Sequence, residues 1–278
     1  MLKFLGLLVL GIIVGSFGTL IGAGGGFVLV PILLLLYPAK SPDLITSISL
    51  AVVFFNALSG SFAYFRQKRV DFKSGILFAI ASTPGAIFGA YLTSLIPRRI
   101  FDGIFGFALI ISSAFLLLKP EMEPAVMKQT EGGDLIQREV TDSEGTTYQF
   151  AYNRFLGISL SFIVGFISSL LGIGGGIIHV PILVYLLNFP VHIATATSHL
   201  VLAIMAFFGT LVHLLTGSLR DGYIQTLTIS IGVIGGAQIG AYFSRFVREQ
   251  WIMNSLAVAL GLVGIRILLL AFNLPVLV

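Results

Sequence analysis

A few polar side chains stand inside long apolar segments of this sequence, and they are the groups that could bind a solute. Polar and ionisable residues within such segments are costly and usually functional. No aspartate or glutamate lies well inside a predicted segment, although Asp102 lies at the start of one. This argues against a carboxylate proton relay and against an oxygen-ligand site for a divalent cation. The candidate binding side chains are Thr46, Ser49, Asn56, His179, Thr197, Ser198 and His199.

Two glycine-rich stretches organise the chain around these residues. Gly22–Gly26 reads GAGGG, Gly172–Gly176 reads GIGGG, and each is followed by a proline five residues after its last glycine. An offset of 150 residues brings both stretches, with their flanking leucines and isoleucines, into register. Such self-similarity indicates a duplicated unit.

Each glycine stretch predicts a break in a membrane-embedded helix. Adjacent glycines disfavour a helix by about 1 kcal/mol each relative to alanine, and unwound backbone at membrane depth is tolerated only inside protein or along a cavity. The apolar run that follows, Phe27–Tyr37 or Ile177–Leu187, has eleven residues and reaches about half of a bilayer. We therefore predict two hairpins, each with a half-helix whose N-terminus lies near the membrane centre.

The N-termini of these half-helices are predicted to bind an anion. Their free N–H groups and the positive end of the helix dipole would point into the protein. Alternatively, the glycines only permit close helix packing. Under the first interpretation, the binding glycines are Gly24, Gly25, Gly26, Gly174, Gly175 and Gly176.

The polar side chains would complete this shell, although each also has a structural interpretation. His179 falls in the first turn of the second half-helix, where it could donate to an anion or bind a neighbouring carbonyl. Asn56 follows Ser49 by seven residues and shares its helix face, which suits a binding site or an interhelical hydrogen bond. His213 and Arg266 lie near segment ends, where an interfacial position is expected.

The composition places the chain in a membrane. Apolar residues make up 56% and charged residues 10% of the sequence, and the mean hydropathy is +1.02, as in a polytopic membrane protein. Cysteine is absent, which excludes disulfides and cysteine-ligated metals, and no cofactor is expected. The net charge of +4 is small and scattered, so the expected surroundings are lipid and not nucleic acid. No small-x-small cleavage site follows the N-terminal segment, which is therefore predicted to stay as the first membrane segment.

The apolar segments form two sets of five. Residues 1–118 are predicted to be a first membrane repeat, 154–278 a second one, and 119–153 the linker between them. Because five is odd, the second set enters from the opposite side, which predicts an all-α fold of two inverted repeats with about ten helical segments. Glycines spaced by four in the fourth segments, Gly85/Gly89 and Gly236/Gly240, predict close helix contacts. The segments are Leu2–Ile21, Phe27–Tyr37, Ile45–Tyr64, Ser74–Leu95 and Phe101–Leu118, then Arg154–Leu171, Ile177–Leu187, Ile193–Leu215, Tyr223–Ser244 and Trp251–Leu270.

The hydrophilic linker and the basic residues predict the orientation in the membrane. Within the linker, Leu135–Val140 and Thr146–Tyr152 flank a turn sequence that predicts a small β-hairpin, with a disordered connector as the alternative. Ten lysines and arginines fall on the linker side and five on the other, so the positive-inside rule places the linker in the cytoplasm and both termini outside. The ten are Arg66, Lys68, Arg69, Lys73, Lys119, Lys128, Arg138, Arg154, Arg245 and Arg248; the five are Lys3, Lys40, Arg98, Arg99 and Arg220.

With both glycine motifs in view, the chain resembles the TauE/SafE family of sulfite and organosulfonate permeases. The resemblance rests on the paired GxGGG…PIL stretches, on the polar openings Ile45–Ser49 and Ala194–His199, and on the Arg/Asp boundary after the third segment. It covers nearly all of the chain except the linker. It implies a multi-pass protein of a bacterial or archaeal inner membrane that transports a small sulfur oxyanion or sulfonate, such as sulfite or sulfoacetate.

The leading hypothesis is a secondary transporter, not an enzyme, that holds its anion at the midplane between the two tips and works by alternating access. An anion channel with the same site, or a permease for another small anion, is the alternative. An intramembrane enzyme is disfavoured because the histidines form no H-E-x-x-H set. The expected partners are a small anionic substrate and lipid, and a homodimer stays open.

Overall fold

The computed structural model describes residues 2–118, 135–247 and 249–272 of the chain. These ranges contain ten α-helices, a short 3₁₀ helix (Arg220–Gly222) and one two-stranded sheet. Residues 119–134 of the predicted linker, with Lys119 and Lys128, lie outside the described residues, as does Arg248. The elements are α1 (Leu2–Ile21), α2 (Gly26–Leu36), α3 (Pro42–Arg66), α4 (Phe72–Thr93), α5 (Arg98–Leu118), β1 (Leu135–Thr141), β2 (Thr147–Asn153), α6 (Arg154–Leu171), α7 (Gly176–Tyr185), α8 (Val191–Leu215), α9 (Tyr223–Ser244) and α10 (Glu249–Ala271).

The helices are those of a multi-pass membrane protein. Within the described ranges, six helices are long and apolar enough to cross a membrane: α1, α3, α4, α6, α8 and α9. With 21 and 23 residues, α5 and α10 also reach the length of about 20 that a span needs. Large apolar side chains such as Ile80 and Leu227 are exposed on the outer surface, as lipid contact requires.

Local capping explains where the helices differ from the predicted segments. α3 begins at Pro42, three residues before its predicted start, because Ser41 accepts a hydrogen bond from Leu44 N–H at 3.3 Å and proline suits the first helical position. α4 begins after Asp71, whose carboxylate accepts from Ser74 N–H. α2 and α7 have 11 and 10 residues, close to the eleven predicted for each half-helix.

The described part of the linker forms the predicted β-hairpin. β1 and β2 pair antiparallel along their whole length. At the turn, Asp142 Oδ1 accepts hydrogen bonds from the backbone N–H groups of Glu144 at 2.9 Å and Thr146 at 3.0 Å. These local bonds hold the segment in one structure, so the alternative of a disordered connector is wrong for residues 135–153.

Helices of the first half pack mainly on helices of the second half. α1 lies along α9, α4 along α6, α3 along α8 and α5 along α10. If each helix is replaced by its counterpart in the other half, for example α1 by α6 and α4 by α9, the same four pairs result. The predicted glycine faces lie in two of these pairs, which confirms them as close helix contacts. A Cβ added at Gly85 or Gly89 would clash with the carbonyl of Phe162 or Phe166, and one at Gly236 or Gly240 with that of Ile12 or Ser16.

The central helices α3 and α8 run antiparallel. The Tyr64 ring, near the end of α3, packs edge-on against His199, with the ring centroids 5.3 Å apart. Asp43, in the first turn of α3, has its Oδ1 3.2 Å from Nδ1 of His213. Since His199 precedes His213 in α8, the two helices point in opposite directions.

Candidate functional site

Both glycine stretches form the helix breaks that the sequence predicts. Three glycines of each break adopt left-handed backbone conformations, which residues with a side chain rarely adopt. The half-helices α2 and α7 begin directly after these residues. The φ values are +86° at Gly22, +71° at Gly24 and +79° at Gly25, and +69° at Gly172, +79° at Gly174 and +84° at Gly175.

The N-termini of α2 and α7 carry no side-chain cap. Their N-cap residues are Gly25 and Gly175, and no hydrogen bond from a capping side chain is made at either position in the described chain. The first N–H groups of an α-helix have no acceptor within the helix. These two N-termini are therefore positive ends of helix dipoles that carry unused donors.

The two breaks contact each other at the centre of the protein. A Cβ added at Gly26 would lie 2.7 Å from the Ile173 carbonyl oxygen. A Cβ added at Gly176 would clash with the Gly22 carbonyl and lie 2.6 Å from Ala23 Cα. Close packing, which the sequence left as the alternative role of the glycines, therefore applies to Gly26 and Gly176; it does not exclude anion binding by their N–H groups.

Each break also receives a serine hydroxyl from the opposite half. Ser49 of α3 donates to the Gly172 carbonyl at 2.6 Å, and Ser198 of α8 donates to the Gly22 carbonyl at 3.5 Å. This pairing aligns α3 with α8 at an offset of 149 residues, one fewer than the offset of the glycines.

Two threonines follow the same alignment. Thr46 packs against Gly172, and Thr195 packs against Gly22. Thr46 Oγ1 donates to the Asp43 carbonyl at 3.1 Å, whereas Thr195 Oγ1 has no hydrogen-bond partner among the described residues. The hydroxyl of Thr195 thus remains able to bind a solute.

A buried group of side chains, which we call the central polar cluster, lies beside the first break and comprises Thr19, Asn56, Tyr64 and His199. Thr19 Oγ1 donates to Asn56 Oδ1 at 3.1 Å, and the Tyr64 hydroxyl donates to the Thr19 carbonyl at 2.8 Å. Gly60 lies between them, because an added Cβ would be 2.6 Å from His199 Cδ2 and 3.1 Å from Thr19 Cγ2. All four side chains are buried.

The central polar cluster contains two polar atoms that have no hydrogen-bond partner within the described residues, Asn56 Nδ2 and His199 Nε2. His199 Nδ1 lies 3.2 Å from the Thr195 carbonyl. Because a carbonyl only accepts, Nδ1 carries the proton, and Nε2 accepts in the neutral ring but donates in the protonated ring. Asn56 can therefore donate to an oxyanion, and Nε2 of the neutral His199 ring is an acceptor without a described partner.

Two predicted binding side chains, His179 and Thr197, make their described contacts with neither the helix breaks nor this cluster. His179 Nε2 is 3.4 Å from Ser161 Oγ, and its ring packs edge-on against Phe78 with centroids 6.0 Å apart. Thr197 Oγ1 accepts from the Asp71 N–H at 3.1 Å. The contacts given for these two side chains are thus with α4, α6 and the loop before α4, and not with the helix breaks.

A cavity of about 370 Å³ opens at the end of α3 that contains Asp43, and Lys40, Ser218, Arg220 and Asp221 are among its lining residues. Charges of both signs line it. His213, which the sequence places near a segment end, is buried beside Asp43. Among the described residues, no three histidine, aspartate or glutamate side chains gather as a metal ion would require.

The β-hairpin covers the opposite end of α3. Arg138 pairs with both carboxylate oxygens of Asp71, from Nε at 2.9 Å and from Nη2. Ser143 N–H donates to the Gln67 carbonyl at 2.9 Å. Burial by itself raises the pKa of Asp71, but hydrogen bonds from Arg138 and Ser74 and the charge of Arg138 outweigh it, so the pKa of this carboxyl is lowered.

Aromatic rings join the hairpin to the second half as well. Phe150 and Tyr152 of β2 pack on Phe189, in the loop between α7 and α8, with ring centroids 4.3 Å and 5.4 Å apart. Tyr152 also packs on Phe78 of α4 at 5.4 Å. The hairpin therefore ties a loop of the first half to a loop of the second.

The sequence did not single out Thr19 and Tyr64 as site residues. Thr19 lies three residues before Gly22, as Ser169 lies before Gly172, so the repeat offered a signal for it. Tyr64 ended a predicted segment, and nothing in its spacing pointed to the central polar cluster.

A helical bundle in which two broken hairpins meet beside buried polar groups is the architecture of a membrane transporter. The chain belongs to the sulfite exporter TauE/SafE family, whose family model matches residues 7–267. The resemblance predicted from the glycine motifs is thereby confirmed.

Relatives from bacteria and archaea align with this chain over nearly its whole length. It is 34% identical over 273 residues to the probable membrane transporter protein YunE of Bacillus subtilis, covering 96% of this chain and 98% of that protein. A probable membrane transporter protein of Methanocaldococcus jannaschii is 27% identical over 277 residues, covering 95% and 94%. The probable membrane transporter protein YdhB of Bacillus subtilis is 28% identical over 269 residues, covering 96% and 100%. No solved structure matches the chain.

Proposed function

We propose that this protein is a secondary transporter of small sulfur oxyanions or organosulfonates, such as sulfite or sulfoacetate. The observation that carries the proposal is the meeting of two uncapped half-helix N-termini beside the unpartnered amide donor of Asn56. Helix N-termini and amide donors favour an anion. The description of the family as sulfite exporters supports the substrate class.

In this proposal the anion lies between the two breaks. Backbone N–H groups of Gly25, Gly26 and Gly174–Gly176 hold most of its charge, and Ser198, His199 and Asn56 complete one side. The N–H group of Gly24, which the sequence also predicted to bind, donates to the Gly18 carbonyl at 3.1 Å. Thr46 and Ser49 complete the other side. His179 and Thr197 stay predictions of the sequence, since their contacts lie toward α4 and α6.

Transport proceeds by alternating access between two inverted repeats, with the linker in the cytoplasm and the membrane as the site of action. The matched helix pairs and the antiparallel course of α3 and α8 support this arrangement. The hairpin then closes the cytoplasmic side, and the 370 Å³ cavity faces the outside.

Thermal unfolding of the purified protein with a panel of anions tests the substrate class. We expect sulfite and sulfoacetate to raise the melting temperature more than taurine does, because the ammonium group of taurine would face two positive helix ends. Sulfate and a carboxylate analogue complete the panel, and chloride at equal ionic strength is the control. A preference for taurine, or no shift with any anion, would contradict the proposal.

Counterflow in proteoliposomes separates a carrier from a channel. A carrier exchanges unlabelled sulfite inside the proteoliposomes for labelled sulfite outside, so the label accumulates inside above its outside concentration. A channel lets both species run down their gradients, and no label accumulates. Accumulation is the expected result, and its absence in protein that still binds and conducts sulfite would favour the channel.

A further inference from the structure

Arg69, in the loop between α3 and α4, is a buried cation with unused hydrogen-bond donors. The residue is only 4% exposed. Its Nη2 lies 3.5 Å from Asp142 Oδ2 and 4.0 Å from Glu144 Oε1, while Nε and Nη1 have no partner among the described residues. A buried guanidinium is costly unless it is paired and hydrogen-bonded, so this position calls for a further anion.

The other arginine under the hairpin shows what a complete pair looks like in this protein. Arg138 binds both oxygens of Asp71 through two nitrogens, and Asp71 also accepts from the Ser74 hydroxyl at 2.5 Å. That pair is a two-point contact, the strong geometry for arginine and carboxylate. Arg69 instead meets Asp142 through one nitrogen at the outer limit of a hydrogen bond.

Arg69 lies between the hairpin and the central polar cluster. Its backbone N–H donates to the Tyr64 carbonyl at 3.2 Å, and Tyr64 packs against His199. Tyr64, a member of the central polar cluster, therefore links that cluster to the segment that carries Arg69.

We propose that Arg69 is a second oxyanion-binding site on the path to the centre, and that the carboxylate of Asp142 occupies it when the hairpin is docked. Substrate and Asp142 then compete for the same guanidinium. A sulfite or sulfonate group presents two oxygens to Nη2 together with Nε or Nη1, a two-point pairing that Asp142 does not make here. This inference rests on the proposed function, because it assigns a further site to the same substrate.

The variant Asp142→Asn tests the competition without dismantling the hairpin. Asparagine keeps the Oδ1 acceptor for the N–H groups of Glu144 and Thr146, but it removes the negative charge that faces Arg69. In titrations of purified full-length protein we expect sulfite to bind about tenfold more tightly, which corresponds to one hydrogen bond to a charged group. Arg69→Gln is expected to weaken sulfite binding by about the same factor.

Glu139→Gln is the matched control, since Glu139 lies on the same hairpin and pairs with Gln149 at 2.9 Å on an exposed face. It should leave sulfite affinity unchanged. Unchanged affinity in Asp142→Asn, with Glu139→Gln also unchanged and both proteins folded, would overturn the Arg69 site. If that result is found but the wild-type protein binds sulfite and the Asn56→Met variant does not, the transporter proposal stands. If wild-type protein binds none of the anions, both proposals fall.

Discussion

The two halves of the protein build the same frame around the two helix breaks and fill it with different side chains. Gly60 of α3 faces His199 and Thr19, while Gly209 of α8 faces Leu50 and Ser169 in the equivalent arrangement. His199 is thus matched by a leucine. Asn56 is matched in the same alignment by Met205, whose Cε packs on Gly175.

This difference distinguishes residues that determine folding from residues that determine binding, which the sequence repeat alone does not distinguish. The shared elements are the left-handed glycines, the serines that donate to them and the threonines that pack on them. We expect these to determine folding and the contact between the halves. The unshared residues, Asn56 and His199, carry polar atoms without a described partner at positions where the other half has Met205 and Leu50, and we expect them to determine binding.

The largest expected effect comes from placing a side chain at the N-cap glycine of each half-helix, and it should differ between the two halves. Gly25→Ala and Gly175→Ala each place a side chain at a left-handed φ, at a cost of about 1–2 kcal/mol. At Gly25 the new Cβ would lie 2.8 Å from the Val14 backbone carbonyl, whereas at Gly175 it would meet the side-chain atoms Met205 Cε at 2.7 Å and Ser168 Oγ at 2.9 Å. Side chains can move aside more easily than backbone, so Gly25→Ala should lower the melting temperature more.

The control for this pair is Gly235→Ala, because a Cβ at Gly235 meets nothing within 4 Å. It should melt at the wild-type temperature or slightly above it, because alanine favours a helix more than glycine does, and it should transport sulfite normally. Equal melting temperatures for the Gly25 and Gly175 variants would show that the two breaks tolerate a side chain alike.

A second experiment exchanges the side chains at one pair of matched positions, Asn56 of α3 and Met205 of α8. Asn56→Met makes the polar side resemble its apolar counterpart, and we expect sulfite affinity to fall by about 10- to 150-fold for the loss of a hydrogen bond to a charged group. Met205→Asn should instead leave affinity unchanged and destabilise the protein by about 1–3 kcal/mol, because it buries an amide without a partner. Titration with sulfite and thermal unfolding report the two quantities; similar profiles for both variants would remove the distinction between the halves.

The smallest expected effect concerns the two serines. Ser49→Ala removes a short hydrogen bond of 2.6 Å to Gly172 and should cost about 1 kcal/mol of stability. Ser198→Ala removes a contact of 3.5 Å to Gly22, at the limit of a hydrogen bond, and should change the melting temperature less. If the Ser198 hydroxyl serves the substrate, its loss weakens sulfite binding more than the loss of Ser49 does, and the reverse order would place the anion nearer Gly172.

The helix breaks and half-helices were predictable because adjacent glycines within an apolar run have few physical interpretations. The β-hairpin was predictable in the same way, from a turn sequence between two alternating segments. Both features depend on neighbouring residues along the chain. The early start of α3 at Pro42 shows how a local cap at Ser41 could still shift a boundary.

The membership of the central polar cluster was not predictable, because it depends on which helices meet. His179 has a position in the second half-helix that suits an anion, yet Ser161 and Phe78 engage its ring. The offset of 149 between α3 and α8 differs by one residue from that of the glycines, and only the contacts to Gly22 and Gly172 reveal it. The placement of Arg69 under Asp142 likewise requires the docked hairpin.

The exchanged packing of the helices also has a consequence for biosynthesis. α1 finds the glycine surface that covers it in α9, more than 200 residues later in the chain, and α4 finds its partner in α6. The first five helices therefore leave the ribosome with their closest-fitting surfaces uncovered, and they acquire their partners only as the second half is inserted. The glycine surfaces of the first half are thus completed by helices of the second half and not by their own neighbours in the chain.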